Sequence, residues 1–125
     1  MWAAMDSSRS PLRVDSRQDG SNLAVVEVVG EIDMTNGDRL EAALVAALST
    51  AVTVEVDLGG VSFLDSTAIN TLVRMHNRAV AGGRRLVVTR LQPFARDIFE
   101  ITGLLTLLQV RAASEGAVAE RPSAP

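Results

Sequence analysis

The segment Val52 to Val73, VTVEVDLGGVSFLDSTAINTLV, changes its hydrophobic period half-way along. Val52, Val54, Val56 and Leu58 alternate with Thr53, Glu55 and Asp57, the period of two expected of a strand that packs one face and wets the other. Gly59-Gly60 then reads as a turn, and Phe63-Leu64-Asp65 as a strand end. Ile69, Leu72, Val73 and Val80 read as the apolar stripe of a helix that stops at Gly82-Gly83. A strand feeding directly into a helix is the unit from which an α/β domain is assembled.

The same alternation of periods extends outward in both directions. Leu12 and Val14 alternate with polar neighbours as in an edge strand, and Leu23 to Ile32 is a nearly continuous Val/Leu run reached through an Asp19-Gly20 turn, which predicts a hairpin. Thr35 is placed to cap a helix whose inward face is Leu40, Ala43, Leu44, Ala47 and Leu48. Beyond Gly83, Leu86 to Thr89 reads as a strand. Pro93 opens a third helix carrying Phe94, Ile98 and Ile101 inward until Gly103, and Leu105 to Val110 closes the sheet. Single helices between strands imply right-handed parallel crossovers. The expected fold is therefore α/β: about five strands, mostly parallel with an antiparallel edge hairpin, and three to four helices on one face. The folded unit spans residues 11–112. Residues 1–10 (MWAAMDSSRS) read as a flexible tail that leaves Trp2 exposed, and residues 113–125 as a short helix or flexible tail.

Composition narrows the function. A chain of 125 residues with 47% hydrophobic content can bury one core, not two. Twelve basic against fifteen acidic residues, with no run of like charge, supply no basic stripe for a phosphate backbone, so direct nucleic-acid binding is not expected. The absence of cysteine removes disulfides and thiolate chemistry, and a single histidine, His76, reads as a half-buried helix residue rather than a ligand; no metal or cofactor is expected. Gly59-Gly60 and Gly82-Gly83 lack the spacing and lysine of a phosphate-binding loop, and Glu31 with Asp33 has no accompanying nucleophile, so the chain does not read as an enzyme. No apolar run approaches the roughly 20 residues that span a bilayer, and the first ten residues lack a secretory pattern, which makes the cytoplasm the expected address.

What remains is Ser62 to Ile69, SFLDSTAI. An acid and two hydroxyl residues enter the first turn of a helix, where backbone N–H groups lack intrahelical partners. Asp65 or Ser66 can serve as the helix cap. Ser66 can equally display a hydroxyl for modification, and the two roles are compatible.

Four segments in order resemble the STAS domain family, in its small stand-alone bacterial form, the anti-sigma factor antagonists. Gly30-Glu31-Ile32-Asp33 is similar to the family's G-E-[IL]-D. Asp57-Leu58 through Phe63-Leu64-Asp65-Ser66-Thr67 resembles its strand and D-S-[ST] phosphorylation loop. Gly82-Gly83 before a hydrophobic strand, and Phe99 to Leu104 (FEITGL), resemble its later elements. The resemblance implies that Ser66 is the phosphoacceptor and that Asp33, Thr35, Asp65, Ser66, Thr67 and Asn70 line the partner-binding face. It implies an anti-sigma factor with serine kinase activity as partner, bound by the unmodified chain so that a sigma factor is freed, and a serine phosphatase acting on phospho-Ser66. The chain itself is expected as a monomer or weak dimer. Ala68 and Asn70 stand where the family commonly has glycine, and a larger side chain in the first helical turn would bear on the partner's approach. That departure keeps open a second reading, a STAS scaffold or ligand-sensing module that is never phosphorylated. A third, phosphotransfer through Asp65, lacks the lysine such sites use.

Overall fold

The computed structural model describes residues 12–20 and 22–111. Two strands open the chain, β1 (Leu12–Asp19) and β2 (Leu23–Ile32), paired antiparallel without a break from Leu12 opposite Gly30 to Asp19 opposite Leu23. The chain then alternates: helix α1 (Gly37–Leu48), strand β3 (Thr53–Leu64), helix α2 (Ser66–Ala81), strand β4 (Arg85–Thr89), helices α3 (Pro93–Ile101) and α4 (Leu104–Leu107), and strand β5 (Gln109–Arg111). The sheet order is β1-β2-β3-β4-β5, with every pair after the first parallel. The expected architecture is therefore the observed one. The expectations for residues 1–10 and 113–125 lie outside the described residues.

The core lies between the helices and one sheet face. Ala24, Val26 and Val28 of β2, Val54, Val56 and Leu58 of β3, and Leu86 and Val88 of β4 meet Leu40, Leu44, Leu48, Leu72, Met75 and Phe99 from the helices. Each strand contributes alternate residues and each helix a stripe, as the two side-chain periods require. Pro93 occupies the first turn of α3 as expected, and Gly103 follows its end at φ 81°.

The stripes themselves differ from expectation. In α2 the buried residues are Ala68, Thr71, Leu72, Met75 and Ala79, while Val80 is 61% exposed. In α3 they are Ala95 and Phe99, with Phe94 and Ile98 partly covered and Ile101 left 85% exposed. The largest apolar side chain in reach of the sheet, Phe99, sets the rotation of α3, and the nearby isoleucines follow it. The segment expected as one closing strand from Leu105 is a helical turn first. Leu104 and Leu108 are buried four residues apart, a helical spacing, before the short β5.

Gly59-Gly60, expected as a turn, lies inside β3, which runs through it to Leu64. The register to β2 slips here, Glu27 facing Asp57 but Val29 facing Gly60, so β3 carries an extra residue. Both glycines leave room that a methyl would fill. A Cβ on Gly60 would sit 2.8 Å from Val29 Cγ2, and one on Gly59 would sit 2.5 Å from the guanidinium of Arg90, whose Nε lies 3.2 Å from Asp57 Oδ1. Beyond the end of β4 the side chain of Gln92 takes over the edge of β3, its Nε2 donating to the carbonyls of Gly59 and Val61 at 2.8 Å each.

The face away from the helices is also less wet than the alternation implied, since Glu55 is 2% exposed, whereas Val52, just before β3, is 45% exposed. The two glycines predict a contrast. Gly60→Ala should lower unfolding free energy by about 1–3 kcal/mol, because β-branched Val29 is fixed in its strand. Gly59→Ala should cost less than about 1 kcal/mol, because an exposed arginine can swing aside. Chemical denaturation of the two variants compares them directly.

Candidate functional site

The ends of β2 and β3 are tied together: Ile32 faces Leu64, and the Asp65 N–H donates to the Ile32 carbonyl at 3.2 Å. Both strands therefore release their chains at the same place, Asp33 from one and Asp65 from the other. Gly30, at φ 115°, and the register shift between Gly30 and Glu31 set the path of β2 into this corner. In the G-E-I-D segment the glycine thus serves the backbone, and the aspartate the loop that follows.

Asp33 organises the turn into α1. Its carbonyl accepts from the N–H groups of Asn36 (3.2 Å) and Gly37 (3.0 Å), and its own N–H donates to Asn36 Oδ1 at 2.9 Å. Asn36 is buried and donates through Nδ2 to the Glu31 carbonyl at 2.9 Å. Asp33 Oδ1 accepts from both the N–H (2.9 Å) and the hydroxyl (2.5 Å) of Thr35. Thr35 does not cap α1; the capping position belongs to Asn36, and the Thr35 hydroxyl is spent on Asp33. A carboxylate two residues upstream is the better acceptor for that hydroxyl, because the bond is charge-assisted.

Asp65 caps α2. Its Oδ1 accepts from the N–H of Thr67 at 2.8 Å and of Ala68 at 3.4 Å. Ser66 is the first residue of the helix proper, is exposed, and its hydroxyl has no hydrogen-bond partner among the described residues. The capping role and the displayed hydroxyl are thus divided between two adjacent residues. Thr67 is half-buried against α1, so close that a Cβ on Gly37 would lie 2.6 Å from Thr67 Cγ2. This close approach sets the starts of α1 and α2 side by side.

Ala68 is fully buried, so its methyl packs into the core and cannot meet a docking protein; the expected interference at that position is corrected. Asn70 is exposed one turn along α2 from Ser66, and Arg74, a further turn on, forms an ion pair with Glu41 of α1. Of the residues expected at the site, Asp33, Thr35, Asp65, Ser66 and Thr67 come together at the two helix starts. Asn70 continues the same surface. Asn36 and Gly37, which hold the corner, were missed, although an Asn-Gly pair before a helix signals a tight turn. Met34 (77% exposed) and Phe63 (47%) add large apolar side chains near the two strand ends.

His76 is half-buried on α2, with Nδ1 enclosed and unpartnered. Among the described residues no group of three or more His, Cys, Asp or Glu side chains is placed to hold a metal ion, and no helix is long and apolar enough to cross a membrane.

Comparison with known proteins follows the same outline. Residues 15–109 match a family model described as the Mlab STAS domain. The chain is 29% identical over 107 residues to the anti-sigma-B factor antagonist of Bacillus subtilis, covering 86% of this chain and 97% of that protein. It is 33% identical over 104 residues to BtrV of Bordetella bronchiseptica, a protein named for an anti-sigma factor antagonist role, covering 81% and 86%. The crystal structure of an anti-sigma factor antagonist from Mycobacterium paratuberculosis shares the fold with a TM-score of 0.76 at 24% identity, over 87% of this chain and 92% of that one.

Because Asp65 and not Ser66 serves the backbone, the two substitutions should separate. Asp65→Ala should destabilise the fold by about 0.5–2 kcal/mol through the lost cap, and Ser66→Ala should stay within about 0.5 kcal/mol of the parent in thermal unfolding.

Proposed function

The chain belongs to the STAS domain family, and from that membership we propose that it acts as an anti-sigma factor antagonist switched by phosphorylation of Ser66. In the unmodified state it binds an anti-sigma factor that is also a serine kinase, through a face built from Asp33, Thr35, Asp65, Ser66, Thr67 and Asn70, and so frees a sigma factor in the cytoplasm. The kinase transfers the γ-phosphoryl group of ATP to Ser66 Oγ, a base on the kinase takes the hydroxyl proton, and ADP leaves. A serine phosphatase hydrolyses the ester and returns the hydroxyl.

The observation that carries this reading is the exposed, unengaged hydroxyl of Ser66 at the first position of a helix already capped by its neighbour. A phosphate adds about 1.5 to 2 negative charges. Inside its own protein the addition is tolerated, because a helix N-terminus favours an anion by roughly 0.3–1 kcal/mol. Across a docking surface it is not. A like charge about 4 Å away at an effective dielectric near 20 costs on the order of 4 kcal/mol, roughly a 1000-fold loss of affinity. Binding is lost while the fold is kept, which is what a reversible switch requires.

The curated relatives support the coarser role, since they are named as anti-sigma factor antagonists. Asn70, exposed beside Ser66 where the family commonly has glycine, is the feature that favours the alternative, an unphosphorylated STAS scaffold or ligand-sensing module. Incubation with ATP and candidate anti-sigma kinases, followed by intact-mass spectrometry, decides between them. The proposal expects an acid-stable gain of one phosphate that vanishes in Ser66→Ala. It also expects Ser66→Asp to weaken kinase binding by about 100-fold or more, read by calorimetry, with little change in melting temperature. No phosphate gain with any such kinase would favour the scaffold reading.

A further inference from the structure

Strand β1 has a neighbour on one side only, β2, and its outer edge bonds to no strand among the described residues. Its eight residues carry charged side chains, but there is no proline within the strand, no lysine, and no bulge in its pairing with β2 to turn the edge away from another strand. Leu12 and Val14 join the core and Gln18 donates to the Thr50 carbonyl at the end of α1, so the even-numbered residues face the helices. The odd-numbered residues, Arg13, Asp15, Arg17 and Asp19, share the opposite face, and all four are exposed. Their charges alternate in sign along the strand.

A two-fold antiparallel pairing of β1 with β1 of a second copy must bring together residues of equal parity, because outward-pointing N–H and C=O groups recur at every second position. The two-fold axis therefore passes through a residue, and the charges choose which one. Centred on Asp15, the pairing sets Asp15 against itself and Arg13 against Arg17. Centred on Arg17, it sets Arg17 against itself and Asp15 against Asp19. Centred on Ser16, it sets Arg13 against Asp19 and Asp15 against Arg17, so every charge meets its opposite along the full strand. Centring on Val14 also matches Arg13 with Asp15, but pairs only Leu12 to Ser16.

From this pattern we propose that the chain forms a two-fold dimer through β1, in antiparallel register about Ser16, which joins the two five-stranded sheets into one. The occupant of the edge is a second copy because the edge is complementary to itself. Moving the two-fold axis by one residue in either direction, a slip of two residues between the strands, brings like charges opposite each other, so the alternation also guards against slippage. Arg17 already has a partner within its own chain, which places most of the discrimination on the Arg13–Asp19 pairs. In the single chain Arg13 Nε lies 3.1 Å from Asp15 Oδ2 with both side chains more than 60% exposed, an exchangeable contact that does not compete strongly. None of these residues belongs to the Ser66 site, so the dimer stands or falls independently of the proposed switch.

Sedimentation equilibrium on the full chain tests it. The expected species is a reversible dimer of twice the 13.3 kDa chain mass, weakened by added salt. Asp19→Arg should raise the dissociation constant about tenfold or more, and the double exchange Arg13→Asp with Asp19→Arg should restore it to within about threefold. The chain has no cysteine, so Ser16→Cys should cross-link to itself on mild oxidation, and Val14→Cys, which faces Gln18, should not. A monomer at all concentrations up to about 1 mM would overturn the proposal. So would a dimer indifferent to Asp19→Arg, or one in which Val14→Cys cross-links as readily as Ser16→Cys.

Discussion

The carboxylate of Asp65 frees its neighbour. The first turn of a helix leaves backbone N–H groups without intrahelical acceptors, and some oxygen must satisfy them if the turn is to be packed against protein. Asp65 Oδ1 does so for Thr67 and Ala68. Ser66 is therefore relieved of the task that serine performs at many helix starts, and its hydroxyl is left at the surface. Had Ser66 been the cap, adding a phosphate there would have remade the hydrogen bonds of the first turn, and modification would have been coupled to the structure of the helix. The division of labour between adjacent residues is what allows one to be altered while the other holds the fold.

The rest of the molecule holds that turn in place at the surface. The tie between Asp65 N–H and the Ile32 carbonyl places the exits of β2 and β3 together, and the bare Cα of Gly37 lets α1 begin against Thr67. Strand β3 runs on to Leu64, past Asp57 where its pairing with β4 ends. Gln92 then satisfies two of the carbonyls that β4 no longer reaches. Asp33 belongs to the same corner, but its carboxylate and carbonyl are first of all structural, fixing Thr35, Asn36 and Gly37. Its part in any docking surface rests on a loop that it has itself made rigid.

The edge hairpin, the parallel strands, the three longer helices and the helix stop at Gly82-Gly83 were legible because each follows from a period or from a glycine at an element's end. The misreadings share a cause. Gly59-Gly60 looks like a turn in a local reading, and only Val29 and Arg90, distant in sequence, show why a strand needs both glycines. Val80 and Ile101 fit an apolar stripe by spacing but are displaced by Met75, Ala79 and Phe99, whose packing decides the rotation of α2 and α3. Thr35 fits a capping position, yet the nearer charged acceptor claims its hydroxyl. At the site, Asp65 and Ser66 stood out from the strand-to-helix turn they occupy, while Asp33 was placed beside them only by the resemblance to the STAS family, and the structure does bring the three to one corner. Asn36 and Gly37 were not legible, because their roles arise from contacts with Glu31 and Thr67 that appear only once the strands are aligned.

The central claim is that charge can be added at Ser66 without disturbing the protein that carries it. Amide chemical shifts of the isotopically labelled chain, recorded before and after stoichiometric phosphorylation, test this most directly. The account predicts shifts confined to Asp33–Gly37 and Asp65–Asn70, with the amides of β4, α3 and the remainder of the core unmoved. Changes spreading through β3 and into Leu72, Met75 and Phe99 would show that the hydroxyl is part of the packed structure, and would contradict it.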